Sequence, residues 1–137
     1  MMARNLFRLY LLLDRLDYRD IASAMLASVV GNMIAYPSGY SNWSQLMLDV
    51  TESHFEVAIA GPKAISLLNE LQKRYLPHVV FCAGTHENNL PLLAERLVDG
   101  KTLIYICQDN SCHLPVETVG EALKLIEKLA ESTKNEL

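Results

Sequence analysis

The chain reads as an α/β protein: an N-terminal α-helical segment followed by a β-α-β-α-β-α unit with a three-stranded, mainly parallel sheet. Three observations predict this. FEVAIAG (55–61), HVVFCAG (78–84) and TLIYICQ (102–108) are short, β-branched and nearly continuously apolar, the pattern of strands buried on both faces. Helix-like stretches lie between and after them. Everything before His54 carries helical periodicity instead, so a division into 1–53 and 54–137 is expected.

Residues 3–16, ARNLFRLYLLLDRL, put Leu6, Leu9, Leu13 and Leu16 on one helical face. Phe7, Tyr10, Leu11 and Leu12 widen that face until it nearly encircles the helix, so neighbours are needed on several sides. Asp17 or Asp20 suits the cap of a second helix, 21–35, whose Ala22, Ser23, Ala24, Ala27, Ser28 and Gly31 permit close packing. Pro37, Ser38 and Gly39 break it. A third helix is expected over 42–50, with Trp43, Leu46, Met47 and Val50 turned inward.

Past the first strand, PKAISLLNELQKRYL places Ile65, Leu68, Leu71 and Gln72 at helical spacing, with Pro62 fitted to a first turn. NNLPLLAERLVDG reads as a shorter helix stopped by Gly100. The last helix, 116–133, carries Val119, Leu123, Ile126, Leu129 and Ala130 on one side. Right-handed crossovers would make the three strands parallel.

At 137 residues the chain falls in the single-domain range. Half of it is apolar and the mean hydropathy is slightly positive, +0.12. Even so, no run of about 20 apolar residues fit for a membrane span occurs. The longest candidate, LYLLLDRL, is interrupted by Asp14 and Arg15, and Arg4 and Arg8 belong to a helical pattern rather than to a signal peptide. With 16 acidic against 12 basic residues the net charge is −4, and no basic cluster could neutralise a run of phosphates. Neither nucleic acid nor a membrane is an expected partner. Three cysteines without a secretory signal fit a reducing compartment, so a cytoplasmic location and free thiols are expected.

The chemistry-bearing stretch is TLIYICQDNSCHLP, where Cys107 and Cys112 flank QDNS and His113 follows. A zinc site would need a second half-site, which Cys82 and His86 could supply only if the second and third strands were neighbours. No metal and no cofactor are expected. As a redox pair the thiols have a better case, because a short turn can bring their Cα atoms within the ~4.4–6.8 Å of a disulfide. The helix starting just beyond Cys112, together with His113, could lower a thiol pKa. Against this stands the plainer expectation that Cys107 is a buried strand-end thiol and Cys112 packs under the Pro115 turn, both reduced and neither needed for folding. A second candidate is CAGTHENN, which sets His86 and Glu87 at the carboxyl end of a strand, where open α/β sheets display ligands and acid–base groups. The IAGPKA turn lacks both G-x-G-x-x-G and G-x-x-x-x-G-K-[ST], so nucleotide binding is not indicated. His54 and His78, just before strands, read as surface or edge residues.

Four stretches, ARNLFRLYLLLDRLDYRDIA, YPSGYSNWSQLML, FEVAIAGP and YICQDNSCHLPVETVGEALKLI, resemble the C-terminal end of the spermatogenesis-associated, YyaL-type thioredoxin-domain-containing proteins. The resemblance spans nearly the whole chain. It implies an N-terminal thioredoxin-like domain and most of an α/α toroid, like that of sugar epimerases, in a larger parent of which this chain is the C-terminal portion. No thioredoxin-type Cys-x-x-Cys occurs here. The function expected from the resemblance is a non-catalytic structural or interaction module of that larger protein. The alternatives are a thiol-redox enzyme fragment using Cys107 and Cys112, or part of an epimerase-like toroid enzyme. A first helix deprived of its toroid neighbours would also self-associate through Leu6, Phe7, Leu9, Tyr10 and Leu13.

Overall fold

A computed structural model describes residues 2–108 and 111–134. The chain divides into two compact units, Met1–Ser53 and His54–Leu137. No helix among the described residues is long and apolar enough to cross a membrane.

The first unit is helical, with α1 (Met2–Leu13), α2 (Leu16–Ala27), α3 (Val30–Ala35), a 3-10 turn (Pro37–Tyr40) and α4 (Ser41–Thr51). The first helix stops at Asp14, which takes the left-handed conformation at φ 51°. Leu16 therefore begins α2 instead of extending the leucine face of α1. The single helix expected over 21–35 is two, separated at Ser28 and Val29, where the Ser28 hydroxyl donates to the Met25 carbonyl. Neither aspartate caps α2: the N-cap is Arg15, whose guanidinium pairs with Asp17 in the first turn. Ala3, Phe7, Ala22, Leu26, Met33 and Leu46 form the core, and Arg4 ties α1 to α4 through Asp49 (2.9 Å) and Gln45 (2.8 Å). Phe7, only 6% exposed, is spent inside this unit, whereas Leu9 stays exposed. Of the four residues expected to face inward from α4, Leu46 is fully buried and Trp43 partly, while Met47 and Val50 face out.

The second unit is a two-layer α/β arrangement built on β1 (Phe55–Ala60), α5 (Ala64–Leu71), β2 (Val79–Gly84), β3 (Leu103–Gln108), β4 (Ser111–Cys112) and α6 (Val119–Lys134). Its sheet is mixed and four-stranded, in the order β2-β1-β3-β4. The expected three-stranded, mainly parallel sheet is corrected at three points. Only β1 and β2 are parallel; β3 runs antiparallel to β1, and β4 antiparallel to β3. The interior strands are β1 and β3, and β2 lies on an edge, half-buried throughout. The helix expected in NNLPLLAERLVDG is a series of turns, with Leu93 and Ala94 N–H groups both donating to the Leu90 carbonyl.

These departures share one cause. The end of β2 and the start of β3 flank Ala60 at the same end of the sheet, since Ala60 is in register with both Gly84 and Leu103. Residues 85–102 need only pass from one side of β1 to the other at that end, so no crossover helix is required. Leu92 and Leu93, both buried, anchor an irregular connection instead.

Strand alternation then separates two faces. Phe55, Val57, Ile59, Ile104 and Ile106 pack with Ala64 and Leu71 of α5 and Val119, Ala122 and Ile126 of α6 in one core. The opposite face carries Glu56, Ala58 and Ala60 of β1, Cys82 of β2, and Tyr105 and Cys107 of β3. The connection 85–102 folds over this second face: Leu93 Cδ1 lies where a Cβ on Gly84 would meet it at 3.0 Å. Gly61, at φ 134°, ends β1 where any Cβ would collide with the Lys101 carbonyl and Thr102 Cα.

Candidate functional site

The sulfur site grows from register. Cys107 and Cys112 are directly opposed on β3 and β4, and the neighbouring rung is closed by the His113 N–H donating to the Ile106 carbonyl at 2.9 Å. Opposed positions on antiparallel strands bring side chains together. The two cysteines form a disulfide with Cα atoms 3.9 Å apart, below the ~4.4–6.8 Å common for such bonds. The expectation of two reduced thiols is therefore overturned, because a hairpin, not a buried turn, holds them. Nor does Cys112 pack under the Pro115 turn: it is exposed, while Cys107 is 1% exposed.

Arg96 completes the site. Its Nη1 lies 3.4 Å from Cys107 Sγ and its Nη2 3.2 Å from Cys112 Sγ, so one planar guanidinium spans the bond. Tyr105 positions it twice: the guanidinium carbon sits 4.9 Å from the ring centroid, and the hydroxyl donates to the Arg96 carbonyl at 3.1 Å. Upstream, Glu87 accepts the N–H of Glu95, which adopts the left-handed conformation at φ 58°, fixing the backbone one residue before Arg96. Leu92 and Leu93 bury the same segment.

Of the residues singled out in the sequence, the fold joins Cys107 to Cys112 and sets the His54 and His78 rings edge to face, 5.8 Å between centroids, both partly buried rather than on the surface. His113 is exposed, and strand alternation turns its side chain away from the sulfur. His86 and Glu87 lie past the end of β2, beyond the Ala60 end of β1, whereas Cys107 pairs with Glu56 near its start. The His86 Nδ1 sits 2.8 Å from the Thr85 hydroxyl, and Glu87 serves the connection rather than a pair with His86. Among the described residues, Cys82, His86, Cys107 and Cys112 do not assemble into the two half-sites weighed from the sequence. The intervening β1 separates Cys82 from β3, and two sulfurs bonded to each other offer no thiolate ligands. Cys82 is a free thiol; burial pushes its pKa up, and the positive charge of Arg96 partly opposes this.

Sequence reasoning missed Arg96 and Tyr105. Tyr105 had a signal, since it stands two residues before Cys107 and must share its face. Arg96 had none while its segment read as a helix. Away from the sulfur, α5 and α6 flank an open groove of about 670 Å³ lined by Ser66, Asn69, Lys73, Arg74 and Gly120.

Comparison of the chain with protein-family models, with curated proteins and with solved structures gave no match. The arrangement defines a class only by its parts: a mixed-sheet α/β unit with a disulfide on its edge hairpin, bridged by an arginine.

Proposed function

We propose that the α/β unit is a thiol–disulfide-responsive module, in which Cys107 and Cys112 form a reversible two-electron couple. One observation carries this reading: the Arg96 guanidinium within hydrogen-bonding reach of both sulfurs. A neutral disulfide gains little from a cation, whereas each thiolate released on reduction gains a charge-assisted hydrogen bond. The cation thus favours the reduced pair and makes each cysteine a better leaving group. Two external thiols would reduce the bond, forming their own disulfide and leaving both cysteines as thiol or thiolate. This favours the redox alternative over a purely structural role. It is compatible with a C-terminal module of a larger protein of the family the sequence resembles, with α1 to α4 as the end of an α/α toroid.

Equilibration in glutathione redox buffers, followed by alkylation and mass analysis, tests the couple. The pair is expected to interconvert reversibly with native circular dichroism retained. A bond that resists reduction until the protein unfolds would refute the reading.

We further propose self-association of the isolated chain through its helical unit, supported by the exposure of Leu9, Leu16, Ile21 and Ile34. Leu9→Glu should shift light scattering toward monomer.

A further inference from the structure

Resting on that redox reading, we infer that the disulfide is polarised: an external thiolate attacks Cys112 Sγ, and Cys107 departs as the Arg96-held thiolate. The two sulfurs differ in access. Cys112 is exposed on β4, the last and shortest strand of the sheet, and Cys107 is buried on β3 between β1 and β4. Displacement at sulfur needs the nucleophile in line with the breaking S–S bond. Among the described residues, the exposed Cys112 leaves its side of the bond accessible, whereas Cys107, 1% exposed, is covered.

In the first step a monothiol of the glutathione class, as its thiolate, bonds to Cys112 Sγ. The Cys107–Cys112 bond breaks and its electron pair stays on Cys107 Sγ, where Arg96 Nη1 donates to it. In the second step another thiolate attacks the external sulfur of the mixed disulfide, bonding to it and releasing Cys112 as a thiolate. Two external thiols end as one disulfide, and two cysteines are reduced. In the reverse direction Cys107 is the resolving thiol, because only it faces Cys112. Cys82 cannot take that role: on β2 it stands three strands from Cys112 on β4, about 14 Å, too far for a bond that tolerates no more than ~7 Å between Cα atoms. Among the described residues, the carboxylate in register with Cys107 on this face is that of Glu56.

Arg96 then has two separable effects, since Nη1 serves the leaving sulfur and Nη2 the attacked one. Removing the guanidinium should raise the pKa of Cys107 and slow the exchange, whereas a merely structural arginine would leave the thiol pKa unmoved once the fold is intact.

The experiment uses the full chain with Cys82→Ser and oxidised glutathione as the probe. Cys107→Ser, which leaves Cys112, should accumulate a glutathione adduct at least about tenfold faster than Cys112→Ser, which leaves Cys107. In the Cys112→Ser background, the pH profile of Cys107 alkylation should move to higher pH when Arg96→Met is added, and Arg96→Lys should restore part of the shift. Wild-type protein treated with reduced glutathione, quenched in acid and mapped by peptide fragmentation provides a reading independent of the variants' folding: the adduct should sit on Cys112. Adduct mainly on Cys107, or equally on both, overturns the polarity while leaving the redox couple standing. No exchange at all in the folded wild type refutes the couple itself.

Discussion

The two faces of one sheet are built to opposite rules. Toward α5 and α6, five β-branched or aromatic strand residues meet two helices in a continuous apolar core. On the other side the strands offer alanines, a glutamate, a tyrosine and sulfur, overlain by an irregular connection that contributes a single arginine. The first face derives its stability from volume and exclusion of water. The second holds its parts by directed contacts, each weaker than the burial of a side chain, and leaves one sulfur in reach of solvent. Chemistry in a small unit fits on the face that the core does not need.

The largest effect is expected from cutting into the apolar face. Ile106→Ala, at a fully buried position, should cost about 2–5 kcal/mol in urea denaturation, with a cavity left between sheet and helices. A loss below about 1 kcal/mol would mean that this face is not the one that holds the unit together.

A smaller loss is expected at the seat of α6, where Thr118 and Glu121 form a reciprocal cap. The Glu121 N–H donates to the Thr118 hydroxyl oxygen, and the Thr118 N–H donates to Glu121 Oε2. Thr118→Ala should cost about 0.5–2 kcal/mol. The Thr118 hydrogen bond also holds the Glu121 carboxyl below its usual 4.5. Because the folded-state pKa is the lower one, this contribution is complete above 4.5 and fades as pH falls through the folded value. Glu121→Gln should flatten that part of the acid limb, read from urea midpoints across acid pH.

Tyr105→Phe probes the opposite, sulfur-bearing face. It deletes the hydroxyl that donates to the Arg96 carbonyl and leaves the ring under the guanidinium, so the stability loss should be near 0.5–1.5 kcal/mol. A loss equal to that of Ile106→Ala would erase the distinction between the faces.

The smallest effect is kinetic. Burial pushes the Cys82 thiol up, so in native protein near neutral pH iodoacetamide should modify Cys82 more slowly than in urea-unfolded protein, and the native rate should climb only at alkaline pH.

Strand positions were legible in the sequence because each strand is a compact apolar run between breakers: Phe55–Ala60, Val79–Gly84 and Leu103–Gln108 lie within the three runs. The change of pattern at His54 falls where the second unit begins. Strand direction was not legible. It depends on whether residues 85–102 cross the sheet as a helix, and Leu92, Leu93 and Leu97 have the same spacing whether they line a helix or pin a loop. A strand's place at the edge or the centre leaves equally little trace, since Val79–Gly84 is as apolar as Phe55–Ala60. Within the site, the cysteine pair was visible from its spacing, and Tyr105 was available through the two-residue period. The T-V-G-E pattern of 118–121 was likewise a readable cap. Arg96 reaches the sulfurs only through the tertiary path of its loop, which no local pattern encodes.

The ladder on β3 carries a further consequence. Cys107 faces Cys112, yet Ile104 bridges to Val116, so the outer chain gains one residue between these rungs, in a stretch containing Pro115. Such a bulge, with a residue lacking an N–H, spoils this margin as a template for an incoming strand. The opposite margin has no such guard: β2 is six residues long, VVFCAG, without proline or charge. Within the α/β unit, any intermolecular strand pairing that leads to aggregation would therefore start on β2, and a lysine in place of Val80 is the change that would discourage it.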